Sequence, residues 1–172
     1  MEQQRRRIVN GERYLSFGIN GEAYCVAIRK VREIMEMVPI TYLPQVPPFI
    51  KGIINLRGRM VPIIDLRTKF GLEFLEYTMR TCIIIVDLST QAEQVSLGIV
   101  VDTVNEVIAI PEEQISQLEY VNVQVQSRYI RGIAEFESGI QIILDIDQVL
   151  SVEEFKVINS IKDIPTVGKE KS

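Results

Sequence analysis

The sequence predicts an all-β protein, a pair of packed β-barrels arising from an internal duplication, with a single C-terminal helix. Short apolar runs rich in β-branched and aromatic residues recur along the 172-residue chain, separated by turn formers. Several of these runs return once more at a nearly constant offset. Only near the C-terminus does a capping signal open a stretch with helical spacing.

Taken in order, the predicted strands cover residues 14–19, 23–28, 31–37, 50–56, 60–66, 80–88, 95–104, 107–110, 129–136 and 140–146. Asn20-Gly21, Arg57-Gly58 and Ser89 punctuate them, and Glu137-Ser138-Gly139 joins the last two. Pro62 cannot donate to a ladder, so its strand is expected at a sheet edge or bulged there. Residues 67–70 and 111–115 read as single helical turns. Ser151 and Glu154 form a capping box, in which hydroxyl and carboxylate each satisfy an orphan backbone N–H. Phe155, Ile158 and Ile161, with Val152 and Val157 nearby, then make an apolar stripe, and Pro165 ends the helix.

The duplication shows in four matches. Ile50-Lys51-Gly52-Ile53 recurs as Ile130-Arg131-Gly132-Ile133, and the run 63–66 recurs as 143–146, which aligns Asp65 with Asp145. The run 15–19 matches 95–99 at the same offset of 80, while Val31, Glu33 and Ile34 return as Val104, Glu106 and Val107 at an offset of 73. Two copies are too few for a solenoid, so a pair of barrels is the natural arrangement. Gly52 and Gly132 are expected at equivalent bends where backbones approach closely.

Composition narrows the function. The chain carries 19 basic and 23 acidic residues, a net charge of −4, which argues against a general nucleic-acid binder. It has no histidine, so Ser-His, Cys-His and His-metal chemistry are excluded. Cys25 and Cys82 sit in apolar surroundings and read as buried, reduced thiols. No metal or cofactor is expected. The N-terminus lacks the apolar stretch of a signal peptide, and the longest aliphatic run, 83–86, is far too short to span a bilayer, so a cytoplasmic location is expected. The halves differ in charge: residues 1–81 hold 13 basic and 8 acidic side chains, and residues 82–172 hold 6 and 15. That asymmetry suits two faces for two partners, or records drift after duplication.

The segment 50–66 stands out. Two apolar strands flank a tight loop that presents Arg57 and Arg59, with Gly58 free to adopt positive φ. An arginine held at a hairpin tip suits bidentate capture of a partner carboxylate; an arginine at a solvated turn has the same local sequence.

The string Asn55-Leu56-Arg57-Gly58, Val61-Pro62, Asp65-Leu66-Arg67 resembles the CheW family of bacterial chemotaxis coupling proteins. Pro47, the run 49–52, Val31 to Ile34 and the run 97–102 agree with it in order, and the resemblance spans residues 12–161. It implies a single domain made of two five-stranded barrels, SH3-like or OB-like, packed on a shared apolar seam. The subdomains are expected at about 12–81 and 82–150, with strands open to exchange between them, and with flexible tails at 1–11 and 165–172. It further implies a non-catalytic adaptor that bridges the cytoplasmic tip of methyl-accepting chemoreceptors to the regulatory domain of a chemotaxis histidine kinase. Such an adaptor is cytoplasmic and recruited to membrane-associated receptor arrays. Val31, Glu33, Gly52, Arg57, Val104 and Val107 match family positions associated with receptor or kinase binding. The start at Met1 favours a free-standing coupler, and the length leaves no room for a receiver domain. Val31 with Val104 and Ile34 with Val107 are repeat mates, so they could line the walls of one groove that takes a helical hairpin; each valine suits barrel core equally.

Two other classes fit less well. A carboxylate enzyme could draw on Asp65, Asp87, Asp102 and Asp145 at strand ends, yet duplication accounts for Asp65 and Asp145 as repeated turn or cap residues. A single-stranded nucleic-acid-binding barrel could use Arg5-Arg6-Arg7 as a basic arm, but the chain has no Trp and few aromatic platforms.

Overall fold

A computed structural model describes residues 11–73, 76–89, 94–117 and 127–162. The arm Arg5 to Arg7, Pro165 and the tails 1–10 and 165–172 lie outside the described residues. The strands are β1 (Glu12–Ile19), β2 (Glu22–Ala27), β3 (Val31–Glu36), β4 (Ile50–Leu56), β5 (Arg59–Asp65), β6 (Cys82–Ser89), β7 (Gln94–Val101), β8 (Thr103–Ile110), β9 (Ile130–Phe136) and β10 (Gly139–Leu144). A one-turn helix α1 (Leu66–Lys69) follows β5, a 3-10 turn (Ile146–Gln148) follows β10, and α2 (Val152–Lys162) comes last.

The strands form two five-stranded sheets, ordered β8-β1-β2-β10-β9 and β3-β6-β7-β5-β4. These are not the closed barrels the sequence predicts. Each sheet curls until its edges meet at one isolated bridge, Ser116 with Ile133 in the first and Thr41 with Ile53 in the second. The reason is local. Pro111 follows β8 and leads into a 3-10 turn at Glu112–Gln114, and Pro39, Pro44, Pro47 and Pro48 interrupt the run between β3 and β4. Neither stretch can sustain a ladder across the gap. Pro62 also departs from expectation: β5 is not an edge strand, but its parallel ladder with β7 begins at Ile63, one residue beyond the missing N–H.

The sheets do not follow the halves 12–81 and 82–150. The first takes β1 and β2 from the N-terminal half and β8, β9 and β10 from the C-terminal half; the second takes the complementary set. Each half contributes a hairpin to one sheet, crosses over, and finishes in the other. The crossovers are the 3-10 turn Ile28–Lys30 between β2 and β3, and Asp102 between β7 and β8. Asp102 therefore splits the expected strand 95–104, because its N–H turns away to donate to Gly18 O at 2.9 Å. The topology also corrects one repeat match. Run 15–19 lies in β1 and run 95–99 in β7, yet β7 occupies the place of β2, so that likeness is not an equivalence. The other three matches pair β3 with β8, β4 with β9 and β5 with β10.

Apolar burial falls in three places, one inside each curled sheet and one between them. Cys25, Ala27, Ile110, Ala134 and Ile143 fill the first sheet, and Ile54, Val61, Ile63, Ile83, Ile85 and Val100 fill the second. The shared seam is the largest and includes Phe17, Ile64, Ile99, Leu144, Ile158 and Ile161. Across it Phe17, Tyr24, Phe70 and Tyr129 line up in a row with centroids 6.2, 5.8 and 5.7 Å apart, the first two pairs stacked and the third tilted.

The capping box forms as its sequence predicts. Ser151 N donates to Glu154 Oε1 at 2.7 Å, and Glu154 N donates to Ser151 Oγ at 3.1 Å. Ile158 and Ile161 face the seam, whereas Val152 is exposed and takes no part in the stripe. No helix among the described residues is long and apolar enough to cross a membrane.

Candidate partner-binding surface

The β4–β5 turn has two residues, and both need left-handed backbone: φ is 52° at Arg57 and 88° at Gly58. Asn55 Oδ1 accepts from Gly58 N at 2.9 Å, which pins the turn. Arg57 is held in αL at the tip, and its guanidinium reaches back to β3. There Nη1 and Nη2 donate to Glu33 Oε2 at 3.0 and 2.5 Å. The side chain of Arg57 is 66% exposed, so this pair sits at the surface with its outer face open to solvent.

β3 and β8 are the equivalent edge strands of the two sheets, each paired on one side only. Val31 opposes Val86, and Val104 opposes Phe17; both valines are half-buried against the shared seam. Three residues further on, Ile34 and Val107 are 45% and 48% exposed. The structure thus joins Glu33 to Arg57 and brings Val31 and Val104 to the same core. Val107 and Glu106 stand on the edge strand of the other sheet, where the repeat mates of Glu33 and Arg57 are Glu106 and Glu137, both acidic.

Gly52 and Gly132 mark the bridges at which each sheet curls. Gly52 has φ 148°, and a Cβ there would lie 2.0 Å from Thr41 O; at Gly132 it would lie 2.6 Å from Ser116 O. The four aspartates at strand ends all have structural partners. Asp65 caps α1 by accepting from Arg67 N at 2.9 Å, and Asp145 accepts from Asp147 N at 3.2 Å. Asp87 accepts from Arg32 Nη2 at 3.2 Å and from Ser96 Oγ at 2.6 Å. Asp102 accepts from Asn20 N at 2.7 Å and pairs with Arg67 Nη1 at 3.2 Å.

The sequence patterns give no role to Lys30 or Asp147, and mark Arg67 only as the last residue of the family string. Arg67 is only 1% exposed and lies between Asp65 and Asp102. The available signal was the repeat itself, which aligns Arg67 with Asp147 at the offset of 80 and so reverses a charge. A cleft of about 230 Å³ opens at one end of the first sheet, lined by Glu12, Tyr14, Arg29, Lys30, Arg131 and Asp147. None of the expected partner-binding residues faces it. Cys25 is buried as expected, which pushes its thiol up to about 12, whereas Cys82 is only half-buried, and that burial and Glu36 both raise its thiol.

The chain is similar to known proteins over most of its length. A family model described as the CheW-like domain matches residues 13–154. The chemotaxis protein CheW of Klebsiella aerogenes is 34% identical over 151 residues, covering 88% of this chain and 89% of that protein. CheW of Bacillus subtilis is 33% identical, with 85% and 91% covered. The crystal structure of the scaffolding protein TtCheW from Thermoanaerobacter tengcongensis superposes with a TM-score of 0.74 at 33% identity, covering 84% of this chain and 90% of that one. With two strand-exchanged sheets, the NLRG turn on its edge-strand glutamate and this match over most of its length, the chain belongs to the CheW family.

Proposed function

We propose that this protein is a non-catalytic chemotaxis scaffold that couples chemoreceptors to a histidine kinase, working in the cytoplasm at membrane-associated receptor arrays. The observation that carries the proposal is the Glu33–Arg57 pair, which ties the turn of the family string to an edge strand beside exposed Ile34. An exposed apolar residue next to a half-open, charge-paired arginine is the composition of an interface anchor, because a guanidinium can keep one carboxylate while its remaining N–H groups take another acceptor. Val31, Glu33 and Arg57 form one contact surface on the second sheet. Val104 and Val107 form an equivalent surface on the first, with acidic surroundings suited to a different partner.

Arg57→Ala tests this reading. An exposed ion pair contributes about 0.2–1 kcal/mol to folding, so the melting temperature stays almost unchanged. Binding to a soluble receptor signalling fragment or to the kinase regulatory domain weakens by about 2 kcal/mol, roughly thirtyfold. Arg57→Lys recovers part of it, since a point charge cannot reproduce the fork. Arg59→Ala, two residues along the same hairpin, is the control. Undiminished binding of Arg57→Ala to both partners refutes the assignment.

A further inference from the structure

Two carboxylates hold the sheets together in the same way with their polarity reversed. At the first junction Asp102, on the β7–β8 crossover, accepts from the backbone N–H of Asn20 in the β1–β2 turn and pairs with Arg67 in the helical turn after β5. At the second, Asp147 in the helical turn after β10 accepts from the backbone N–H of Ser89 at the end of β6 at 2.9 Å, and pairs with Lys30 on the β2–β3 crossover at 2.7 Å. The three linked elements are the same in both cases: a hairpin turn, a crossover and the helical turn after a second hairpin. In both the carboxylate takes the turn N–H and the cation. What differs is which element carries the carboxylate.

The N-terminal half therefore presents a cation at both of its latch positions, Lys30 and Arg67, and the C-terminal half presents an anion at both, Asp102 and Asp147. Both ion pairs join one half to the other, while the Ser89 N–H that Asp147 also takes belongs to its own half. If two N-terminal halves from separate copies paired through the same surfaces, Arg67 would meet Lys30, with Arg29 beside it. If two C-terminal halves paired, Asp147 would meet Asp102. Arg67 is almost wholly buried and the Lys30 side chain is 14% exposed, so these like charges would meet with little water to screen them, and Asp65, which stays beside Arg67 at 3.5 Å, could balance only one of the two cations.

We propose that this reversed polarity is a pairing address: it selects an unlike half as the partner surface and rejects the like half of a second copy. A duplicated fold whose halves exchange strands needs such a device, because both halves offer the same hairpins and seam to any partner. The charge split along the sequence acquires a physical role at these two points. An exchange of unlike halves between copies preserves both latches, so the address has no bearing on it.

The test is a charge reversal in the full chain. Lys30→Asp combined with Asp147→Lys keeps the net charge and retains an oppositely charged pair at the second junction. It also makes each half bipolar, so Arg67 of one copy could meet Asp at position 30 of another, and Lys at position 147 could meet Asp102. Both proteins are unfolded in guanidinium, refolded at tens of micromolar and analysed by size-exclusion chromatography with light scattering. Wild type sets the background from exchange of unlike halves. The reversed protein is expected to exceed that dimer fraction by about tenfold or more, as release of a like-charge contact allows. A second variant, Lys30→Met with Asp147→Leu, removes the clash without a new pair and is expected to fall between them. A dimer fraction equal to wild type in whichever of the two regains native circular dichroism overturns the proposal.

Discussion

Gly52→Ala is the substitution whose cost follows most directly from the coordinates. A Cβ at Gly52 would sit 2.0 Å from Thr41 O and 2.8 Å from Ile40 Cγ2. Ordinary contact begins at 3.4 Å, so the segment carrying Thr41 must retreat by roughly 1.4 Å. That retreat breaks the isolated bridge at which the edges of the second sheet meet, in which Thr41 N donates to Ile53 O at 2.8 Å and Ile53 N to Thr41 O at 2.9 Å. Two hydrogen bonds contribute about 1 kcal/mol each. Holding alanine at φ 148° adds about 1–3 kcal/mol. The sum is about 3–5 kcal/mol, which lowers the melting temperature by roughly 10–15 °C in a domain of this size. Gly71→Ala is the reference, since Gly71 has φ 74° with nothing within 4 Å, and it should cost about 1–2 kcal/mol. Gly132→Ala, with its acceptor at 2.6 Å and no positive φ, falls between the two. Thermal melts followed by circular dichroism decide the matter. A loss at Gly52 no larger than at Gly71 refutes the steric reasoning.

Three further outcomes follow from buried or paired groups. Iodoacetamide at pH 8 should leave Cys25 unmodified in the native protein, because burial holds its thiol near 12 and its side chain is inaccessible, and mass spectrometry of the folded and unfolded states reads this. Burial alone would raise the Glu154 carboxyl, but hydrogen bonds from Lys69 and Ser151 outweigh it and leave it below its usual value. Its contribution is therefore present above the unfolded-state value and lost as pH falls through the lowered folded value, so Glu154→Gln should cost about 1–2 kcal/mol at pH 7 and progressively less in acid denaturation series. Arg67→Leu leaves Asp65 and Asp102 without their buried cation and should cost about 3–5 kcal/mol in urea melts, with Arg67→Lys recovering part.

Local chemistry was legible wherever a few neighbouring residues decide it. Ser151 and Glu154 cap α2 because both partners lie within one turn, and Arg57-Gly58 makes a two-residue hairpin because only left-handed backbone fits between Leu56 and Arg59. Val31 and Val104 could be marked as mates, but their half-burial depends on a seam contributed by both halves. The ion pair that positions Arg57 spans 24 residues, and no spacing rule places Glu33 opposite a turn that far away.

Strand content, the duplication, the turn string and the family resemblance were thus determined by the sequence itself, because periodicity and turn chemistry act over two to ten residues. Tertiary structure alone decided that each half donates a hairpin to one sheet and ends in the other, and that prolines after β3 and β8 leave both sheets open. It also decided that Asp102 is a crossover, not mid-strand, and that Arg67 and Asp147 hold equivalent junctions with opposite charge. The physical reason is range: these features depend on which distant segments share a ladder or a buried ion, and the contacts that select them are made only when the two halves have packed.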